Sequence, residues 1–173
     1  MTPVAHIIPP AGLFPNNALL PVLVYGQAFT GAAAVAGAIE KRFLANGWSG
    51  VWRDGIYAFH QYHSQAHEAL GVYRGWVEVQ LGGPSGDVFR LEQGDVVVLP
   101  AGVAHKKIAS SADFGVVGAY PPGQAPDMKT GEPGERAAAE RDIAALARPA
   151  TDPVEGASGP LPKLYGAASR VRG

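Results

Sequence analysis

The sequence predicts a mainly β protein, a barrel or sandwich of short strands with two flanking α-helices. Three observations carry this reading. Between Trp48 and Tyr120, short apolar or alternating segments recur about every ten residues, cut by glycine-bearing turns. The 23 glycines and 15 prolines are spread as punctuation along the chain and form no internal repeat. Only two stretches, 30–47 and 135–148, have helical character.

Taken in order, residues 1–17 are proline-rich and aperiodic and read as an extended arm over the surface. The run "ALLPVLVYG" (18–26) reads as a strand, and Pro21 places it at a sheet edge. In 30–47, Val35, Ile39 and Phe43 recur every fourth residue as a helix stripe, with Thr30 as N-cap and Gly47 as the stop. Strands follow in "GIYAFHQYH" (55–63), "EALGVYRG" (68–75), "WVEVQLGG" (76–83), "DVFRLEQG" (87–94), "DVVVLPAG" (95–102), "HKKIAS" (105–110) and "DFGVVGAY" (113–120). "PPGQAPDMKTGEPG" is a turn-rich linker, and the helix "ERAAAERDIAALAR" is ended by Pro149. The last stretch reads as a tail whose Leu161, Leu164 and Tyr165 need a surface to dock on. The organisation is therefore an arm, edge strand and helix (1–47), a barrel (48–120), and a C-terminal helix and tail packed on the barrel (121–173).

With 173 residues, 47% of them apolar, the chain can bury one real core. Lys and Arg (14) balance Asp and Glu (15), which removes the basic footprint of a nucleic-acid binder. The longest basic run is His105-Lys106-Lys107, too short for a membrane patch. Cysteine is absent, which excludes disulfides and thiolate sites and leaves His, Asp, Glu and amide oxygen as metal ligands. The N-terminus lacks the basic-then-apolar pattern of a signal peptide, and no apolar run reaches the ~18 residues of a spanning helix. A cytoplasmic protein is expected.

The chemistry concentrates in "FHQYHSQAHEALGVYRG" (59–75), which holds three of the five histidines and Glu68. Alternation along a strand turns Gln61 and His63 one way and His60 and Tyr62 the other. After a turn at 64–66, Glu68 opens the next strand, and His105 comes from a third. Two imidazoles and one carboxylate meeting in a cavity form a two-His-one-carboxylate donor set with open positions for substrate. Tyr57 and Phe59 share the face of Gln61 and His63 and are expected in the core or the cavity wall. Lys107 has the parity of His105. If inward it could hold a carboxylate substrate, although a strand end that lets it reach solvent is the plainer expectation. His60 and His67 face away and are expected at the surface or behind the site.

The spacing then resembles the RmlC-like cupin superfamily, whose motifs are G-x5-H-x-H-x(3–4)-E-x6-G and G-x5-P-x-G-x2-H-x3-N. The first matches at Gly55, His63, Glu68 and Gly75, and the second at Gly94, Pro100, Gly102 and His105. Gln61 replaces the first histidine and Ala109 the terminal asparagine. The segments "PNNALLPVLVYG", "NGWSGVWRDGIY", "GAYPPGQAPDMKTGEPGER" and "DPVEGASGPLPKLYG" look like the small bacterial cupins of the YjlB type over nearly the full chain. The resemblance implies a double-stranded β-helix, the cupin jelly-roll barrel. It also implies one divalent ion (Fe, Mn, Ni or Zn) held by His63, Glu68 and His105, with Gln61 as a weak fourth ligand through its amide oxygen. The function implied is dioxygenase- or isomerase-like chemistry on a small molecule, and the alternative is a non-catalytic binding or sensing cupin with a degenerate site. A homodimer paired through the apolar edge strand at 18–26 is expected.

Overall fold

In the computed structural model the described residues are 1–168, so 169–173 of the expected tail lie outside them. Among the described residues nine strands form two antiparallel sheets. The larger runs β1 (Val4–Ile8), β2 (Asn17–Tyr25), β7 (Val96–Leu99), β4 (Glu68–Arg74), β9 (Gly115–Tyr120) and β3 (Ser49–Asp54), in that spatial order. The smaller is β6 (Val88–Glu92), β5 (Trp76–Leu81) and β8 (His105–Ser110). The expected jelly-roll architecture is present.

Apolar residues of both sheets meet between them. Val22, Leu70, Val72, Val97 and Val116 of the larger sheet pack with Val77, Val79 and Leu81 of β5 to fill the barrel. The alternate residues of the larger sheet, among them Leu23, Tyr25, Val96, Val98 and Val117, form a second core on its outer face. The helices α1 (Ala36–Ala45) and α3 (Pro160–Ala167) cover that face with Ile39, Phe43, Leu161 and Tyr165. Strands buried on both faces explain continuous apolar runs such as "VVVL". Gly71 on β4 makes room for α1, because a Cβ there would lie 2.7 Å from Ile39 Cγ2. The helix α2 is Arg136–Ala145, and Ala139 is its buried residue. Among the described residues no helix is long and apolar enough to cross a membrane.

Several elements differ from expectation. The arm contains β1, which pairs with β2, so β2 lies between β1 and β7 and is not an edge. Pro21 is tolerated there because β2 pairs with β7 only at Leu23–Tyr25, and the β1 ladder shifts register just where Pro21 stands. The helix expected from Thr30 starts later: Gly31, with φ +54°, interrupts it, a short 3-10 turn follows, and Val35 is left 47% exposed at the start of α1. Ile39 and Phe43 are buried, and Gly47 (φ +84°) ends the helix as read. β3 occupies Ser49–Asp54, just before the strand expected over 55–63. The strand expected over 55–63 is absent; isolated bridges join Gln61 to His105 and Tyr62 to Lys129. A third helix, α3, forms where a tail was read.

Candidate metal centre

Glu68 is the first residue of β4, paired with Leu99, and shares the inner face of the barrel with Leu70 and Val72. His105 is the first residue of β8 and lies opposite buried Leu81. His63 comes from the irregular 55–67 segment, so strand alternation does not aim it. Its carbonyl accepts the Gly102 N–H (2.8 Å), and its Nδ1 donates to the Asp127 carbonyl. The three residues bring one donor atom each within 4.8 Å of one another, a group that could hold a metal ion. Glu68 Oε2 lies 3.4 Å from His63 Nε2 and 3.5 Å from His105 Nε2.

The hydrogen bonds behind the rings fix which nitrogens are free. His105 Nδ1 donates to the Val103 carbonyl at 3.0 Å, as His63 Nδ1 does to Asp127. A carbonyl can only accept, so both Nδ1 atoms carry the proton and both Nε2 atoms beside Glu68 are unprotonated. Glu68 Oε2 is itself buried without a hydrogen-bond partner. Three acceptor atoms thus face one another, an arrangement that calls for a cation or a shared proton. Burial opposes the charged form of His63, but the Glu68 carboxylate and the Asp127 carbonyl outweigh it and raise its pKa. Burial also works against the Glu68 charge, yet His63 and His105 hold its pKa below the usual value. At His105 burial lowers the pKa, only partly offset by Glu68. An ionised Glu68 and a neutral His105 are the forms that bind metal.

Gln61 is buried beside this group. Its Nε2 lies 3.1 Å from His105 Nε2 and donates to that lone pair, while its Oε1 has no partner. A cavity of about 520 Å³ opens over the site. Its wall includes Trp52, Leu70, Tyr120 and the half-buried Lys107, with Tyr57 and Met128 toward solvent. Trp52 Nε1 donates to the Tyr120 hydroxyl at 2.7 Å, and burial, then the Glu68 charge, suppress that hydroxyl's ionisation.

Two placements correct the core expectation. Tyr57 is in the cavity wall but 53% exposed, and Phe59 lies outside the wall, stacked on Tyr57 at 4.9 Å. Without a regular strand, neither is carried into the core. His67 is buried rather than at the surface. Its Nδ1 accepts the Ala101 N–H (2.9 Å), its ring packs on Tyr165, and burial pushes its pKa down to about 4. His60 is half-buried against Phe14.

Asp127 was not found by sequence reasoning. Besides holding His63 through its carbonyl, its carboxylate accepts the N–H groups of Ser64 (2.7 Å) and Gln65 (3.0 Å) and the Ser64 hydroxyl. Partial burial works against its charge, but these donors, the Ser64 hydroxyl foremost, hold its pKa down. Its one signal was an acid in a linker segment that carried part of the family resemblance.

No protein-family model matches the chain. Among solved structures, procruciferin from Brassica napus is 23% identical over 46% of this chain at a TM-score of 0.38, and the chain spans 21% of its length. Acireductone dioxygenase from Bacillus anthracis is 13% identical over 61% of this chain and 82% of its own, with a TM-score of 0.40. The uncharacterized protein YjlB of Bacillus subtilis is 41% identical over 160 residues, 92% of this chain and 94% of that protein. With that identity over almost the whole of both sequences, the chain belongs to the YjlB family.

Proposed function

We propose that this cupin holds one divalent metal ion on His63, Glu68 and His105 and acts on a small organic molecule in the barrel cavity. The observation that carries the reading is the convergence of two unprotonated Nε2 atoms on a buried carboxylate oxygen that has no hydrogen-bond donor. The donor set fits Fe, Mn, Ni or Zn, and the ion would supply Lewis-acid or redox chemistry at the cavity floor. The chain's own residues do the rest. The Asp127 and Val103 carbonyls orient the two rings, Gln61 offers an unpartnered amide oxygen, and Trp52 and Leu70 line the inner wall with apolar surface. Tyr120, kept protonated, is a hydroxyl donor toward the site. Oxygenase-like and isomerase-like reactions both fit this arrangement.

A second reading is a non-catalytic binding or sensing cupin with a degenerate site. The Gln61–His105 hydrogen bond favours it, because the amide occupies a lone pair that a metal would need. Cytoplasmic residence and a homodimeric state belong to the same proposal. The dimer would use the edge strand β1, whose Val4 and Ile7 are exposed.

Titration of metal-stripped protein with Zn, Ni, Mn and Fe(II) separates the two readings. Wild type should bind at least one ion far above a His63→Ala/His105→Ala control. Gln61→His should tighten Zn and Ni binding by about tenfold or more, since imidazole nitrogen is the better donor for late metals. Wild type that binds no better than the double variant leaves only the second reading.

A further inference from the structure

The cavity wall carries an ammonium group that makes no ion pair among the described residues. In the β5–β8 ladder, Lys107 stands opposite Val79 and His105 opposite Leu81, with a register shift just beyond. Val79 and Leu81 are both buried in the barrel. Lys107 is therefore on the same inner face as His105, and its own N–H, donated to the Tyr57 carbonyl at 2.8 Å, pins the strand there. The side chain is half-buried and lines the cavity. Among the described residues its ammonium has no ion pair or hydrogen bond.

The neighbouring charged groups have hydrogen-bond or ion-pair partners of their own. Arg53, also on the wall, is tied to Glu40 through Nε and through Nη2 at 3.0 Å. Asp54 accepts the Gly55 N–H, Asp127 accepts three donors from the 64–65 turn, and Glu68 faces two imidazoles. The Lys107 ammonium is therefore open to pairing on the cavity wall. A ligand that brings a carboxylate or phosphoryl group can supply the partner.

The outer part of the cavity has the opposite character. Tyr57 and Met128 line it and are 53% and 50% exposed, and Phe59 stacks behind Tyr57. Apolar side chains left in solvent around a cavity mouth are a surface for an apolar ligand body. The volume of about 520 Å³ is that of a small-molecule site.

From this geometry, and resting on the cavity reading above, we propose that the ligand is a small organic oxyanion with an apolar or aromatic body. Its charged end pairs with Lys107, and its body lies against Tyr57 and Met128. A carboxylate and a phosphoryl group share the chemistry that one ammonium recognises.

Calorimetric titration with phenylacetate, its neutral amide phenylacetamide, and benzylphosphonate tests this. Wild type, Lys107→Gln and Lys107→Arg are compared, each metal-stripped and Zn-treated. Wild type should bind phenylacetate about tenfold more tightly than phenylacetamide, the size of one charge-assisted contact. Lys107→Gln should remove that preference while leaving the amide unchanged, and Lys107→Arg should keep it. Tighter binding of benzylphosphonate, lost in Lys107→Gln, supports the oxyanion site and assigns it a phosphoryl head. Equal affinity for acid and amide in wild type, a preference that survives Lys107→Gln, or no binding of either acid at millimolar concentration overturns the proposal. The metal reading is decided separately by the titration without organic ligand. A Lys107-dependent preference in protein that binds no metal upholds the oxyanion site while the metal reading falls. A Lys107-independent one in protein that binds metal does the reverse.

Discussion

Removing the Asp152 carboxylate should detach the C-terminal segment from the outer face of the barrel. Asp152 is fully buried. Its Oδ2 accepts the Tyr25 hydroxyl and the Leu161 N–H (3.1 Å), and its Oδ1 accepts the N–H groups of Val154 (2.8 Å) and Glu155 (3.1 Å). One side chain thus fastens β2, the 152–156 turn and the first turn of α3. Gly159 packs directly against it, because a Cβ there would lie 2.4 Å from Asp152 Cβ, so little space is left for substitute water. Asp152→Ala leaves a buried hydroxyl and a helix N–H without acceptors. Losing the acceptor of such a set costs about 3–5 kcal/mol. With a urea dependence of roughly 2 kcal/mol per molar, the midpoint should fall by about 1.5–2.5 M. Tyr25→Phe, which leaves three backbone donors in place, should cost about 1–2 kcal/mol. The double variant should lose at least about 1 kcal/mol less than the sum, because the orphaned hydroxyl is gone. Asp152→Asn provides a milder change if the alanine variant does not fold. A midpoint shift below about 0.5 M for Asp152→Ala, or strict additivity with Tyr25→Phe, would refute the reasoning.

Stability should also fall with acid through His67. Its folded pKa is lowered to about 4, so the unfolded chain binds the proton more readily; the stability is fully present above about pH 6.5 and is lost as pH drops toward 4. The loss should reach about 3 kcal/mol in urea melts between pH 7.5 and 4, and a flat profile contradicts a neutral buried His67. Gly118→Ala should disturb the cavity wall, since a Cβ there would lie 2.1 Å from the Trp52 indole across the β3–β9 ladder. About 1–3 kcal/mol should be lost together with the near-UV circular dichroism of Trp52, and an unchanged spectrum counts against this packing. Sedimentation at micromolar concentration should show a dimer, which Val4→Asp/Ile7→Asp weakens; a wild-type monomer removes the β1 pairing.

What the sequence made legible follows how local each signal is. Glu68 and His105 each stand at the start of a strand whose apolar residues and flanking turns are contiguous, so alternation alone aims them inward. Gln61 and His63 also reach the cavity, but by another route. Their segment forms two isolated bridges, and His63 is aimed by a carbonyl sixty-four residues away in sequence. No period in 55–63 can report a partner at Asp127, and the same missing ladder left Tyr57 in the cavity wall, the second place that parity allowed, and Phe59 outside both wall and core. The helix α3 was hidden for a different reason. It has eight residues, too few for a stripe, and its start is marked only by Pro160 at the first position after Gly159. Its Asp152 anchor lies eight residues before Pro160, on the far side of a turn. Lys107 falls between these cases. Its parity with His105 was readable, yet the choice between solvent and cavity required the β5 register and the knowledge that Arg53 is already bound to Glu40. Spacing could therefore give the face of the strand that Lys107 shares, while its lack of an ion pair is visible only once the partners of the neighbouring charged groups are known.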